Sequence, residues 1–443
     1  MSINLFVDKE IIPSDGSLEL LYSLEKEIPE ESASIYVYPD VHYKKGASVT
    51  NGLVIKSKNK IIPACLGIEN CGFTFGLIDK NQNLDNMIYA AKILSRNHFC
   101  KKKYIKEFII EKFDEYLRID FEKKREMYLA IGFKDVEKLI KTSVSFLKKN
   151  NLDTLAAKSL CTLGTGNHFF ELHKIISSDN NDLKDNYIII VHSDSIQVGE
   201  YINNYFSNLS ETEFFPFLLR TKLKIKYRML QFNFFIKNGI LVKDLKNFLK
   251  LCYSRDEGRV IDKDSIIGQN LLFAHNLASI FGEINRRELI NRFEEICGIK
   301  VNILGSHSHD SISIEKYNEQ DYIIHRNGVQ NIGKDKYFIL PQAMGVGLIV
   351  MQNPMNEVAF FSANHGTGRL QDKHIAKEAY DEKQTEDEMK EHDVVLYRSG
   401  KGNIAEQNHN AFKDINIIAE QMKKYNLGVP VARTKPVFVI KDS

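Results

Sequence analysis

The 443-residue sequence contains no tryptophan, and no apolar run approaches the roughly 20 residues that span a bilayer. Its six cysteines lie scattered, without the paired spacing of a zinc finger or a disulfide framework, which favours a reducing, intracellular setting. The first ten residues, MSINLFVDKE, lack the basic and apolar regions of a signal peptide. We therefore expect a cytoplasmic protein without a membrane partner.

The sequence also lacks an excess of charge of either sign, since its formal net charge is +2. Proteins that bind a long polyanion often carry a strong basic excess, so any nucleic-acid surface here must be local. Two basic stretches are candidates, with a solvated protein face as the alternative for each. They comprise Lys101, Lys102, Lys103 and Lys106, and Lys222, Lys224, Lys226 and Arg228.

Apolar patterns alternate between strand and helix along the chain. Short apolar runs separated by turn signals fill the first 80 residues and return after residue 300, which predicts strands. Helical spacing dominates from about 85 to 160 and from 205 to 300, and the charged stretch 371–392 predicts a solvated helix or lid. No internal repeat or Pro/Gly linker divides the sequence. We expect fold class α+β, with a single interwoven domain over residues 1–443, mixed β-sheets and a helical insertion.

Four of the thirteen histidines lie beside small or polar residues where a predicted strand meets a loop: His168, His192, His309 and His365. The strand fixes the imidazole there, while the loop admits a ligand. One such histidine is more often structural, but four of them, with Cys71 in a glycine-flanked segment, favour a site. Thiolate and imidazole suit zinc, manganese, iron or cobalt, and a thiolate can bridge two ions in phosphoryl transfer.

His365 differs from the other three because it opens the segment His-Gly-Thr-Gly-Arg. The two glycines permit close backbone approach, and Arg369 offers a planar fork for phosphate. A neutral imidazole there could attack phosphorus and hold a phosphoramidate. The alternative is a glycine-rich turn beside a surface arginine. A second glycine-containing loop, 340–348, could present backbone N–H groups to a nucleotide.

Eight segments, in chain order, resemble the RtcB family of RNA-splicing ligases. They are PDVHYKKGASVTNG (39–52), LGTGNHFFE (163–171), VHSDS (191–195), the His-Asp pair with Glu315 (309–315), IHRNG (324–328), LPQAMG (340–345), HGTGR (365–369) and RTKPVFVIK (433–441). LGTGNHFFE is the most specific of them. The resemblance extends over nearly the whole chain.

The resemblance implies a GTP-dependent ligase that uses one or two Mn²⁺ ions. Such an enzyme joins RNA 3′-phosphate or 2′,3′-cyclic phosphate ends to 5′-hydroxyl ends, in RNA repair or splicing. It acts through a guanylylated histidine and an RNA-(3′)pp(5′)G intermediate. An archease-like activating protein is a candidate partner.

Site residues follow from the matching motifs, as what the resemblance implies. His365 would be the guanylylated nucleophile. The metal ligands would be Cys71, His168, His192, His309 and Glu69. The GTP or GMP site would comprise Asn167, His168, Phe169, Phe170, Glu171, His309, Asp310, Pro341, Gln342, Ala343, Met344, Leu348, His365, Gly366, Thr367, Gly368 and Lys441.

Departures from the family pattern concern charge near the metals and the RNA. The family has Asp-x-x-Cys at its first metal segment, whereas this chain has Ile68 at the Asp position and Glu69 after it. Asp310 replaces Asn, Ile196 replaces the Arg that follows His-Ser-Gly-Ser, and Asn327 replaces Lys. These losses leave two alternatives to a ligase. One alternative is a divergent enzyme that guanylylates or hydrolyses phosphorylated RNA ends without sealing them. The other is a non-catalytic RNA-binding protein.

Overall fold

The computed structural model describes residues 2–27, 33–44, 49–62, 70–96, 105–164, 166–202, 260–398 and 404–441. Helices and sheets both make up large parts of these residues, which confirms the predicted α+β class. Lys101, Lys102 and Lys103 of the first basic stretch and all of the second stretch lie outside them, whereas Lys106 is described. The single domain over 1–443 stays a prediction. Within the described ranges, no helix is both long enough and apolar enough to cross a lipid bilayer.

The strands are β1 (Ser2–Leu5), β2 (Ala33–His42), β3 (Asn51–Ser57), β4 (Lys60–Ile61), β5 (Gly72–Ile78), β6 (Phe169–Ser178), β7 (Tyr187–Ser193), β8 (Ile261–Asp262), β9 (Asn302–Ser308), β10 (Asp310–Tyr317), β11 (Gln320–Asn327), β12 (Val329–Asn331), β13 (Tyr337–Pro341), β14 (Leu348–Gln352), β15 (Ser362–Asn364), β16 (Val395–Arg398) and β17 (Val429–Lys441). The α-helices with both ends described are α1 (Ser17–Glu27), α2 (Leu84–Arg96), α3 (Lys106–Lys123), α4 (Arg125–Ala130), α5 (Val136–Lys149), α6 (Leu152–Ser159), α7 (Ile266–Cys297), α8 (Lys373–Ala379), α9 (Glu382–Glu391) and α10 (Ile415–Lys424). The helical pattern predicted from about 85 to 160 corresponds to α2–α6, and the charged stretch 371–392 contains α8 and α9.

The large sheet has the strand order β13-β14-β17-β6-β7-β5-β9, and β16 pairs with β17. The C-terminal strand β17 therefore lies inside the sheet, between β14 and β6. Strand β7, with the sequence YIIIVHS, is buried on both faces. Ile189 and Val191 pack against the helices α2, α3 and α7, while Ile188 and Ile190 pack on the opposite side. A continuous apolar run is what a strand covered on both faces requires.

Helix α7 is the longest described helix and crosses the large sheet. The side chain of Ser265 caps its start by accepting a hydrogen bond from the N–H of Gly268 at 3.0 Å. Its end is a left-handed glycine, Gly298, with φ +68°. These caps define a 32-residue helix whose apolar side packs on β5, β7 and β9.

The second sheet has the strand order β1-β2-β3-β11-β10. It brings β1, β2 and β3 beside β10 and β11, and the two-stranded sheet β12-β15 contacts both this sheet and the large one. One of the apolar runs after residue 300, EVAFFSA (357–363), is predicted to be a strand. This prediction is wrong for most of the run, because only its last two residues belong to β15. Asn356 instead accepts hydrogen bonds from the N–H groups of Val358 and Ala359, and these bonds close a turn.

A buried ion pair links the second sheet to this turn. Arg326 on β11 is fully buried, and its two terminal nitrogens donate to the carboxylate of Glu315 on β10 at 2.6 and 3.0 Å. The same guanidinium donates to Ser362 Oγ and to the carbonyl of Phe360. Burial raises the pKa of Glu315, but Arg326 outweighs this effect, and the pKa lies below its ordinary value. The pair thus holds the segment that leads into His365.

Glu315→Gln is expected to lower the free energy of unfolding by about 3–5 kcal/mol, because it leaves Arg326 buried without a counter-charge. Urea denaturation followed by circular dichroism measures the loss. The exposed Glu357→Gln removes a carboxylate from the same region and should change stability by less than about 0.5 kcal/mol. Equal effects of the two substitutions would contradict a structural role for the pair.

Candidate active site

Four neighbouring strands of the large sheet each place one predicted metal ligand at the same end of the sheet. In the order β6-β7-β5-β9 every adjacent pair is antiparallel, so the starts of β6 and β5 lie beside the ends of β7 and β9. His168 directly precedes β6, and Cys71 directly precedes β5. His192 lies near the end of β7, and His309 directly follows β9. The antiparallel order therefore gathers residues that are far apart in the sequence.

The gathered side chains form two sets that share the sulfur of Cys71. In one set, the ligand atoms of Cys71, His192 and His309 lie within 4.8 Å of one another. In the other, those of Cys71, His168 and Asp194 do so. The Sγ of Cys71 lies 3.4 Å from Nε2 of His168, and the Nε2 atoms of His192 and His309 are 2.9 Å apart. All five side chains are buried.

The donor chemistry of these sets fits a divalent metal ion. Burial lowers the pKa of both His192 and His309, which favours the neutral imidazoles that bind metals. The Nδ1 of His309 lies 3.4 Å from Asp310 Oδ2, and the Nδ1 of His192 lies 3.4 Å from the carbonyl of Asn167. Such oxygens orient an imidazole so that Nε2 faces the ion. Thiolate, imidazole and carboxylate together suit a borderline metal.

His365 lies beside this cluster, with its ring centroid 5.0 Å from that of His309. The buried Asp40 on β2 holds it through one oxygen. Asp40 Oδ2 accepts hydrogen bonds from Nδ1 of His365 at 2.6 Å and from its backbone N–H at 3.1 Å. Burial lowers the pKa of His365, but Asp40 outweighs this, and the pKa lies above its ordinary value. Because Asp40 binds Nδ1, attack on a phosphorus atom would use the other ring nitrogen, Nε2. The imidazole also interacts with the backbone of Gly328, which raises its pKa further.

Two further contacts fix the backbone around Asp40. The buried amine of Lys413 donates to the carbonyls of Pro39 and Val41 at 3.0 and 2.7 Å, and burial lowers the pKa of Lys413 to about 8. Gly368 has φ +77°, and a Cβ at this position would lie 2.3 Å from the carbonyl oxygen of Asp40. The second glycine of HGTGR is therefore required sterically.

A cleft with a volume of about 350 Å³ opens beside His365, which is within the usual range for small-molecule sites. Many residues predicted to bind guanylate line it: Asn167, Phe169, Glu171, Pro341, Gln342, Ala343, Met344, His365, Gly366, Thr367, Gly368 and Lys441. Lys441 is buried, and burial lowers its pKa to about 8 despite the opposing charges of Glu171 and Glu406. Arg369 and Lys44 also line the cleft. The lining thus combines carboxylates with cations and backbone loops, and charge-assisted hydrogen bonds from these cations suit a phosphorylated ligand.

The family model described as tRNA-splicing ligase RtcB matches residues 26–442. The chain belongs to the RtcB family. The RNA-splicing ligase RtcB of Escherichia coli (strain K12) is 25% identical over 398 residues, which cover 87% of this chain and 84% of the relative. The tRNA-splicing ligase RtcB of Nanoarchaeum equitans is 23% identical over 309 residues, covering 64% and 59%. That of Aeropyrum pernix is 22% identical over 319 residues, covering 64% and 60%.

The other residues predicted to bind guanylate do not line the cleft, whereas His192, a predicted metal ligand, does. His168 and His309 belong to the Cys71 sets, and Asp310 accepts a hydrogen bond from the N–H of Gly328 while facing His309. Phe170 and Leu348 are buried in hydrophobic cores. Glu69 lies outside the described residues, and its metal role stays a prediction.

Three functional candidates in this RtcB chain were not predicted from its sequence. Asp40 and Asp194 lie within family motifs, but no spacing rule connects either of them to a histidine. Burial raises the pKa of Asp194 to about 7. Arg286 on α7 is buried beside Gly72, and it donates to the carbonyl of Ser193 at 3.0 Å. Nothing in the sequence around Arg286 distinguishes it from an ordinary helix arginine.

Proposed function

We propose that this chain is a GTP- and Mn²⁺-dependent RNA ligase that joins an RNA 3′-phosphate or 2′,3′-cyclic phosphate end to a 5′-hydroxyl end. The observation that carries the proposal is the position of His365. Its Nδ1 is bound by Asp40 at 2.6 Å, and it lies between the Cys71 sets and a cleft that contains Lys441. The names of the relatives, RNA-splicing and tRNA-splicing ligases, support the same activity.

In the first step, Nε2 of His365 attacks the α-phosphorus of GTP. A P–N bond forms, the bond from that phosphorus to the bridging oxygen breaks, and pyrophosphate leaves. The imidazole gains positive charge as the bond forms, and the carboxylate of Asp40 stabilises it while keeping the ring in place. Lys441 in the cleft balances charge on the phosphate oxygens.

In the second step, an oxygen of the RNA 3′-phosphate attacks the same phosphorus, and the P–N bond breaks to restore His365. In the third step, the RNA 5′-hydroxyl attacks the 3′-phosphorus, GMP leaves with the electron pair, and the hydroxyl proton passes to solvent. A 2′,3′-cyclic phosphate must first take up one water, because only a monoester can accept GMP. The sum converts GTP and two RNA ends to joined RNA, GMP and pyrophosphate.

A divalent ion bound at this site would supply positive charge against the transferring phosphoryl group. The proposed thiol and imidazole ligands are Cys71, His168, His192 and His309, and the sequence predicts Glu69 as the carboxylate ligand. The burial of the three imidazoles and of the thiol, and the closeness of their ligand atoms, support this assignment. The cytoplasmic location and an archease-like activating protein stay predictions.

Covalent labelling with α-³²P-GTP and Mn²⁺ tests the proposal. We expect label on the wild type and a loss of at least about 10³-fold in His365→Ala, because the substitution removes the attacking atom. His392→Ala removes an exposed histidine from the end of α9 and should retain full labelling. An unlabelled wild type would contradict guanylylation.

Sealing is tested next with an RNA that carries 2′,3′-cyclic phosphate and 5′-hydroxyl ends. Joined product, absent with His365→Ala, is the expected result. If the protein is labelled and GMP is attached to the RNA 3′-phosphate, but no joined RNA forms, the result would favour an enzyme that modifies RNA ends without sealing them. RNA binding without any label would favour the non-catalytic alternative.

A further inference from the structure

Asp194 follows β7 and directs one carboxylate oxygen at the Cys71–His168 pair. Its Oδ2 lies 3.9 Å from Nε2 of His168, and one of its two carboxylate oxygens is within 4.8 Å of the Cys71 sulfur. The sulfur and the imidazole nitrogen are themselves 3.4 Å apart. Donor atoms around a tetrahedral ion with bonds of roughly 2.0–2.3 Å lie about 3.3–3.8 Å from one another. The sulfur–imidazole and imidazole–carboxylate separations are therefore close to those of ligands to one ion.

We propose that Asp194 is the carboxylate ligand of the ion held by Cys71 and His168. This inference rests on the proposed metal-dependent function and specifies how one of its two ion positions is completed. The other position takes Cys71 with His192 and His309. Each ion then has three protein ligands, and the thiolate is common to both. Three protein ligands leave coordination positions for phosphate oxygens.

A purely structural role for Asp194 would use its other oxygen. Oδ1 accepts a hydrogen bond from the backbone N–H of Ile196 at 2.8 Å, which stabilises a residue held at φ +48°. A β-branched residue rarely adopts that conformation. The turn therefore uses Oδ1, whereas Oδ2 lies near the imidazole of His168. A buried carboxylate is costly unless cations compensate it. The charge of Arg286 offsets only part of the cost of burying Asp194, and an ion at this position would offset more of it.

The sequence change at Asp194 also complements the change upstream of Cys71. The family segment has Asp three residues before its cysteine, and this chain has Ile68 there. In the family segment His-Ser-Gly-Ser, the glycine position is Asp194 in this chain. One carboxylate is missing from the loop before β5, and another is present at the end of the adjacent β7. The ligand type is retained although its place in the chain differs.

Asp194→Asn separates the two roles of the carboxylate. Its amide oxygen can still accept the Ile196 hydrogen bond, while its amide nitrogen replaces the proposed ligand atom and cannot bind a cation. The full chain is equilibrated with Mn²⁺, and bound ions are counted by elemental mass spectrometry after gel filtration. Co²⁺ titration followed by its visible absorption gives the affinity of each position. We expect two ions in the wild type and one in Asp194→Asn, with the lost position weakened at least about 10-fold.

Asp335→Asn is the matched control. This carboxylate binds Nε2 of His307 at 2.9 Å on the same sheet, but it belongs to neither Cys71 set. It should retain both ions. Glu69→Gln tests the other candidate carboxylate, and retention of both ions there, together with loss in Asp194→Asn, supports the assignment to Asp194.

An unchanged ion count and affinity in Asp194→Asn would overturn the assignment while leaving the ligase proposal intact. Loss of an ion from Glu69→Gln alone would do the same. A wild type that binds no ion would overturn both proposals. Should Asp194→Asn fail to fold, Asp194→Gly introduces the family's residue at this position and is expected to lose the same ion.

Discussion

Asp40→Ala is expected to lower the rate of histidine guanylylation about 10³-fold, and Asp40→Asn about 10²-fold, with bound metal unchanged. Asp40 is a positioning residue, since it contacts His365 through Nδ1 and the backbone N–H at 2.6 and 3.1 Å. Alanine removes both hydrogen bonds and the charge. Asparagine can keep an oxygen in the same place, so it loses mainly the charge that stabilises the developing imidazolium.

Single-turnover labelling with α-³²P-GTP over a range of GTP concentrations measures this effect. We expect the rate constant of guanylylation to decrease and the apparent affinity for GTP to change little, because Asp40 holds the nucleophile and not the nucleotide. Asp321→Ala removes an exposed carboxylate from β11 and serves as the control. A decrease confined to the affinity for GTP would contradict the role of Asp40 in holding the nucleophile. An equal decrease of the labelling rate in Asp40→Asn and Asp40→Ala would contradict separate contributions of the charge and the hydrogen bonds.

The α+β class could be predicted because period-two and helical apolar patterns are local properties of the sequence. The order of the strands could not. The strand that ends the chain, β17, pairs with β6 and β14 from much earlier in the sequence. Such pairings depend on which buried faces fit together in space. The eight motifs indicated that the chain must fold back on itself, but not that four antiparallel strand ends would meet.

The site residues show which parts of a motif a sequence can assign. In LGTGNHFFE, a strand begins after His168, so alternate side chains point to opposite faces. Phe169 and Glu171 line the cleft, whereas Phe170 packs in the core against Phe293 and Phe438. The prediction that every residue from Asn167 to Glu171 contacts the nucleotide ignores this alternation. The alternation of side chains along a strand is itself enough to separate the two groups.

Asp40 and Asp194 illustrate a different limit. Each lies in a motif that stands out for its histidine, and the role of each carboxylate depends on a contact that joins distant segments. Asp40 reaches His365 across 325 positions, and Asp194 approaches His168 from the adjacent strand. Sequence spacing contains no information about such contacts. They follow only from the antiparallel order of the sheet and from the turn that carries His365.

Cys71→Ser is expected to remove both metal ions, whereas His168→Ala and His309→Ala should each remove one. The physical reason is that the Cys71 sulfur belongs to both ligand sets, while each histidine belongs to one. A serine hydroxyl remains protonated near neutral pH and is a poor replacement for a bridging thiolate. Guanylylation should fall at least about 10³-fold in Cys71→Ser, because the charge on the phosphoryl group is no longer balanced.

Ion counts by elemental mass spectrometry and Co²⁺ absorption measure this difference. The thiolate-to-Co²⁺ absorption band should disappear in Cys71→Ser and persist in both histidine variants. Cys297→Ser, a half-buried cysteine at the end of α7, is the matched control and should keep both ions. One ion retained in Cys71→Ser would mean that the sulfur serves a single position. The two sets would then be independent sites, and the two ions could not act together on one phosphoryl group through a shared ligand.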